Sequence, residues 1–260
     1  MRRKVWIDAG HGGYDSGAIG NSQTEKHNVL TVSLMAKEGL ERCGCEVGLT
    51  RSDDTFVGLT ERCNMANIWG AEVFVSIHNN SADDPQAHGI ETYALTEQYN
   101  KLAKDVHSSL LATGLHTRDR GIKYANFAVL RQTKMSACLV ELGFISNSED
   151  AQIMKDNYRN HAEAIVRGVC TNLGIEYVPI PEVSPDQVYY IQTGGFGAKE
   201  VAQKNLECLK HLSNWYLELV EVTPNDWAIK TGGFTGESKV KAKMLGLQEI
   251  TNWWMVYCVE

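Results

Sequence analysis

Ile7-Asp8-Ala9-Gly10-His11-Gly12-Gly13 closes an apolar run that begins at Val5. Such a run reads as a strand, and it stops on an imidazole followed by two glycines. The glycines allow a sharp turn and a close backbone approach to a ligand. Two further segments repeat the pattern. Val75-Ser76-Ile77-His78-Asn79-Asn80 brings a second histidine to a strand end, and Leu139-Val140-Glu141-Leu142-Gly143-Phe144 holds a carboxylate inside an apolar strand. Strands that stop at ionisable side chains deliver them to the edge of a sheet, where open α/β proteins keep their chemistry.

Working outward, residues 1–174 alternate strand-like and helix-like segments. The spacing predicts strands at 4–8, 46–50, 73–78, 89–94, 127–130 and 137–142, and helices at 26–43, 60–69, 97–114 and 148–174, with Thr60 as an N-cap. Alternation of this kind means an α/β domain with a twisted, mostly parallel or mixed sheet flanked by helices. The pattern stops at 175–185, which holds Pro179, Pro181 and Pro185, three of the chain's five prolines, and reads as a stiff linker. Residues 186–260 contain a repeat offset by 38 positions: Tyr190-Ile191-Gln192-Thr193-Gly194-Gly195-Phe196 matches Ala228-Ile229-Lys230-Thr231-Gly232-Gly233-Phe234. Each copy reads strand, Gly-Gly turn, helix, strand. Two copies predict a small α+β domain of the order βαββαβ, four strands under two helices.

The 260 residues suit one large domain, or a medium one beside a small one. A formal charge of −7 argues against nucleic acid and against an anionic membrane surface. No run reaches the roughly 18 apolar residues of a membrane helix. No apolar segment of signal-peptide length follows Met1-Arg2-Arg3-Lys4, so synthesis in the cytosol is expected. The seven cysteines are odd in number and scattered, as expected of reduced thiols, with Cys138 and Cys258 in apolar runs as small core residues.

Four side chains carry the chemistry. His11 and His78 end strands, Glu25 precedes the first long helix, and Glu141 interrupts an apolar strand. Each has an ordinary alternative: a hydrogen-bonded histidine, a first-turn acid favoured by the helix dipole, a paired buried carboxylate. Together they supply what zinc hydrolysis needs, three ligands with an open fourth position and a carboxylate for proton transfer. His88, His107, His116 and His161 lack strand-end placement and receive no role. Glu91, in a strand, is a candidate acceptor that orients a ligand histidine.

At this point the sequence resembles a family. IDAGHGG, TEKHNVL with Glu25, LTERCNMAN, SIHNN, GIETYAL, ANFAVLRQTKM and VELGFISNSED look like the signature blocks of zinc-dependent N-acetylmuramoyl-L-alanine amidases of type 3, in the family's order across residues 1–174. The resemblance implies Zn2+ held by His11, Glu25 and His78, Glu141 as the catalytic carboxylate, and a roughly six-stranded sheet. It implies peptidoglycan as partner, cleaved between the lactoyl group of N-acetylmuramic acid and L-alanine. The family motif usually has Pro where Ala9 stands, which bears on loop stiffness. Arg51 and Arg62 are candidates for binding stem-peptide carboxylates, with ion pairs to Asp53, Asp54 or Glu61 as the alternative. Asn67, Asn79 and Asn80 are candidates for binding substrate amides, or else cap turns.

Residues 186–260 are similar to SPOR-like, wall-binding folds and to the tails of some Bacillus-phage endolysins, on the QTGGF and KTGGF segments. Phe196, Phe234, Trp215, Trp253 and Trp254 then either stack on sugars or fill the small core. A phage or prophage endolysin, made without an export signal and released by a holin, is the expected role. A zinc carboxypeptidase acting on stem peptides uses the same residue types, and spacing alone does not separate the two. A wall-binding protein with an inactive head is disfavoured because all four presumed catalytic residues are present.

Overall fold

Lys4–Ala9 (β1) is buried on both faces beyond its first residue, the mark of a central strand covered by helices on either side. The computed structural model describes residues 2–180, 188–212, 216–235, 237–251 and 255–259. The chain divides into two compact units, Met1–Ile180 and Pro181–Glu260. In the first, β1 is followed by Ile19–Gly20 (β2), Gln23–Thr24 (β3), Glu25–Arg42 (α1), Glu46–Leu49 (β4), Leu59–Trp69 (α2), Val73–Asn80 (β5) and Ile90–Ala94 (β6). Lys101–Leu111 (α3), Asp119–Tyr124 (β7), Ala128–Arg131 (α4), Ser136–Phe144 (β8), Ser148–Asp156 (α5) and Tyr158–Leu173 (α6) complete it.

Six strands form one sheet in the order β4-β1-β5-β8-β6-β7. β1 runs parallel to β4 and β5, and β5 parallel to β8, while β6 is antiparallel to β8 and parallel to β7. The expected fold class, an α/β mixed sheet of six strands flanked by helices, is the one observed. Side chains alternate between two cores. Val5, Ile7, Val75 and Ile77 pack with Val29, Val32, Ala36 and Leu40 of α1 and with Ile165 and Val169 of α6. Trp6, Phe74 and Leu139 point the other way, against Cys63 and Ala66 of α2 and Val129 of α4. Continuing that period of two, Asp8, His78 and Glu141 share the α2 face near the ends of their strands.

Several boundaries differ from the sequence reading. Residues 127–130 were expected as a strand, but Ala128–Arg131 is a short helix whose Val129 and Leu130 seal the second core. The strand is instead β7, whose mixed polar sequence suits an edge. α2 starts at Leu59 with Gly58 as its cap, so Thr60 lies inside the helix. Residues 148–174 form two helices, broken at Asn157. The expected helix over 97–114 is a 3-10 turn, Glu97–Tyr99, followed by α3. The tight β2–β3 hairpin, with Asn21 and Ser22 both at positive φ, escaped the pattern because each strand has two residues. Ile175 and Tyr177 pack against the first core and Val178 accepts from Arg42, so the start of the expected linker is docked on this unit. Pro181 and Pro185 lie outside the described residues.

The second unit runs Val188–Thr193 (β9), Lys199–Leu212 (α7), Leu217–Thr223 (β10), Asp226–Thr235 (β11), Glu237–Thr251 (α8) and Met255–Val259 (β12). The strands form an antiparallel sheet in the order β10-β11-β9-β12. The two copies of the repeat differ locally. β9 ends at Thr193, before Gly194-Gly195, whereas β11 continues through Gly232-Gly233 with a register shift between Thr231 and Phe234. Phe234 is buried in this unit's core, which withdraws it from sugar stacking, and Phe196 packs half-buried against that core. Trp215, Trp253 and Trp254 lie outside the described residues.

Candidate metal centre

Three elements converge at the sheet edge. β1 leads to His11, which sits at φ 58°, a left-handed conformation that turns the chain back sharply. β5 presents His78 near its C-terminal end. Glu25 opens α1 and is buried. Donor atoms of these three residues all lie within 4.8 Å of one another. Glu25 Oε1 is 3.1 Å from His11 Nε2 and 2.9 Å from His78 Nδ1, and the two imidazole rings are nearly perpendicular, with centroids 4.9 Å apart. Glu25 also accepts from the Asn79 and Ala18 amides, at 2.9 and 2.8 Å.

Two glycines make room for this cluster. A Cβ on Gly10 would lie 2.4 Å from His78 Cε1, and one on Gly17 would lie 2.6 Å from both Glu25 Oε2 and His11 Cδ2. Asp15, four residues after His11, sits 3.0 Å from His11 Nδ1 and so fixes the ring with Nε2 turned toward Glu25. The sequence reading did not single out Asp15. Its signal was the rule that a ligand histidine gives its other nitrogen to a carboxylate.

Electrostatics set the protonation states. Burial pushes the Glu25 carboxyl up, but hydrogen bonds and charge from His11 and His78 outweigh it and hold the group well below the usual carboxylate range. Burial also lowers His11, yet Glu25 and Asp15 together raise it. Glu141 is the opposite case. Its position pairs with His78 on one neighbouring strand and with Glu91 on the other. Its Oε2 is sealed from solvent with no hydrogen-bond partner among the described residues. Burial, reinforced by the charges of Glu25 and Glu91, pushes this carboxyl well above its ordinary value.

The remaining candidates fall elsewhere. Arg51 is buried and donates to four backbone carbonyls, those of Ala9, Gly10, Lys26 and Asp53. Arg62 is buried against Asp8, with Nη1 2.9 Å from Oδ1, and donates to the Val57, Ala9 and His11 carbonyls. Both arginines therefore brace the His11 loop from inside, and neither pairs with Glu61. Asn67 bridges the Gln132 carbonyl and the Lys134 amide, tying α2 to the turn before β8. Asn79 is buried and accepts from Asn28. Asn80 donates to Glu91 at 2.7 Å. Glu91 does not touch a ligand histidine; it takes Asn80, Tyr93, Arg120 and Lys123 instead. Of the histidines left without a role, His116 and His161 meet at 3.0 Å beside Asp150 in the interior.

Two imidazoles and one carboxylate, with space held open by Gly10 and Gly17, are a donor set that suits zinc and leaves one position for water or substrate. Among the described residues no other cluster of this kind occurs.

Comparison with known proteins gives the family and the fold. The family model for N-acetylmuramoyl-L-alanine amidase matches residues 5–171. The sporulation-specific N-acetylmuramoyl-L-alanine amidase of Bacillus subtilis is 36% identical over 204 residues, 75% of this chain and 76% of that protein. The endolysin of Bacillus phage SPP1 is 39% identical over 181 residues, 64% of this chain and 65% of that one. The solved catalytic domain of CwlV, an N-acetylmuramoyl-L-alanine amidase from Bacillus (Paenibacillus) polymyxa var. colistinus, superposes with a TM-score of 0.63 at 40% identity, covering 67% of this chain and 99% of that one.

Proposed function

The chain belongs to the N-acetylmuramoyl-L-alanine amidase family, and on that premise we propose that it hydrolyses the bond between the lactoyl group of N-acetylmuramic acid and L-alanine in peptidoglycan, using one zinc ion. His11, Glu25 and His78 would hold the ion. The observation that carries this reading is their convergence beside Glu141, whose Oε2 is sealed from solvent with no hydrogen-bond partner among the described residues.

When bound, zinc lowers the pKa of water and polarises a carbonyl. The protein's own part is proton management. Glu141 takes a proton from the attacking water, and its low-dielectric setting favours the neutral acid that results. It then passes that proton to the departing L-alanine nitrogen. Asp15 keeps His11 in one orientation throughout, and the Asn79 and Ala18 amides do the same for Glu25. The Arg51 and Arg62 contacts make the His11 loop rigid, so the ligand set is arranged before substrate arrives.

Digestion of purified walls tests the bond. New amino groups, intact stem peptides beginning with L-alanine, and no new reducing sugar ends are expected. Reducing ends would point to a glycosidase, and released single amino acids to a carboxypeptidase. The relationship to the phage endolysin and the presence of a second unit, Pro181–Glu260, support a lysin in which one unit cuts and the SPOR-like unit holds the wall.

A further inference from the structure

Beyond Glu141 the sheet continues through β6 to its edge at β7, and that edge is basic. Glu91 lies directly across from Glu141 in the antiparallel β6–β8 pair. Its Oε1 accepts from Asn80 and Tyr93, each at 2.7 Å. Its Oε2 accepts from Arg120 Nε at 2.7 Å and from Lys123 Nζ. One carboxylate thus faces two cations, and a positive charge is left over. The acidic partner is almost fully buried, while the Arg120 and Lys123 side chains keep 24% and 37% of their surface open to solvent. Arg120 lies over the Phe144 ring, with its carbon 4.7 Å from the centroid, and Lys123 Nζ is 5.9 Å from that of Tyr93. Both cations are held in place by this framework. Arg120 meets Glu91 through Nε alone, so the outer prongs of its guanidinium have no protein partner among the described residues.

We propose that Arg120 and Lys123 form a carboxylate-binding subsite that takes the acidic residue following L-alanine in the stem peptide. The inference rests on the amidase reading, because the polarity of the substrate comes from it. The strand order sets where each group lies along the sheet. The presumed zinc ligands His11 and His78 belong to the β1 and β5 side, Glu141 to β8, and the basic pair to β7. If Glu141 protonates the leaving L-alanine nitrogen, the peptide departs on the side of β6 and β7. Two strand spacings are about 10 Å. Two extended residues cover about 7 Å of that, and Lys123, leaning back to Glu91, closes the rest. Arginine forks and lysine ammonium groups both suit carboxylates. Arg51 and Arg62, by contrast, each make four hydrogen bonds inside the protein.

The test uses two synthetic muramoyl-L-alanyl-D-glutamyl peptides, one with the second residue's α-carboxylate free and one with it converted to the carboxamide. The full-length protein should favour the free acid about tenfold in kcat/KM, through KM, a charge-assisted contact's worth. Lys123→Met and Arg120→Met should each bring that ratio toward one, and Lys123→Arg should restore it. A wild-type ratio near one, or a preference unchanged in both folded methionine variants, overturns the subsite. Calorimetric binding of both peptides to the Glu141→Gln protein is read alongside. If neither peptide is cut yet the free acid still binds more tightly, the subsite stands and the amidase reading fails.

Discussion

Asp8 is fully buried at the end of β1, where it accepts from Arg62 Nη1 at 2.9 Å and from Ser76 Oγ at 2.7 Å. Removing one partner of a buried ion pair strands the other charge and costs about 3–5 kcal/mol. Arg62→Met should therefore lower stability by that amount in urea unfolding, and adding Asp8→Asn should recover part of it. A loss of substrate affinity with unchanged stability would instead return Arg62 to a binding role. His161 sets a second expectation. Burial, with the charge of His116 beside it, pushes its pKa down to about 4. The unfolded chain's histidine, near 6.5, binds the extra proton between those values. Stability should thus fall as pH drops from about 6.5 to 4, by on the order of 3 kcal/mol, and level off below. His161→Gln should flatten this limb in denaturation curves; an unchanged slope assigns the loss to other groups. The same contrast explains what could be read from the sequence at this scale. His11, His78 and Glu141 stood out because each breaks an apolar run. For Arg51, Arg62 and Asn67 two readings stayed open because sequence does not reveal whether a donor is satisfied by a distant carbonyl, and Asp15 lay unnoticed in a glycine-rich turn.

Among the elements, the long strands and helices were legible because their apolar periods are unambiguous: β1, β5 and β8 are buried on both faces, and α1 shows one apolar face. The misreading of 127–130 came from a run too short to show a period, and β7 was missed because Asp119, Arg120 and Lys123 make an edge strand look like a loop. The missed strand carries the basic pair Arg120 and Lys123, so the sequence reading did not single out those two side chains. The turn after β1 makes its own prediction. A methyl group on Gly10 has no space beside the His78 ring. Gly10→Ala should weaken zinc binding and turnover by about 10–100-fold, as loss of a group that positions a ligand does, while far-ultraviolet circular dichroism stays the same. Wild-type zinc content in that variant would mean the ring is not held where it is found.

For the whole molecule, the described residues include no helix long and apolar enough to cross a membrane, and two units follow one another along the chain. If the second unit serves the wall, residues 1–180 alone should cut soluble muramoyl peptides as fast as the full chain yet cosediment less with purified walls. Equal cosedimentation would place wall affinity in the first unit. Beneath both statements lies the claim that one divalent cation joins the start of the chain to its middle. Metal analysis combined with chelation tests it most directly. The account predicts one zinc per chain, loss of both zinc and wall hydrolysis on chelation, recovery of activity with added zinc, and no zinc retained by His11→Ala. Full hydrolysis by protein shown to be metal-free would contradict it.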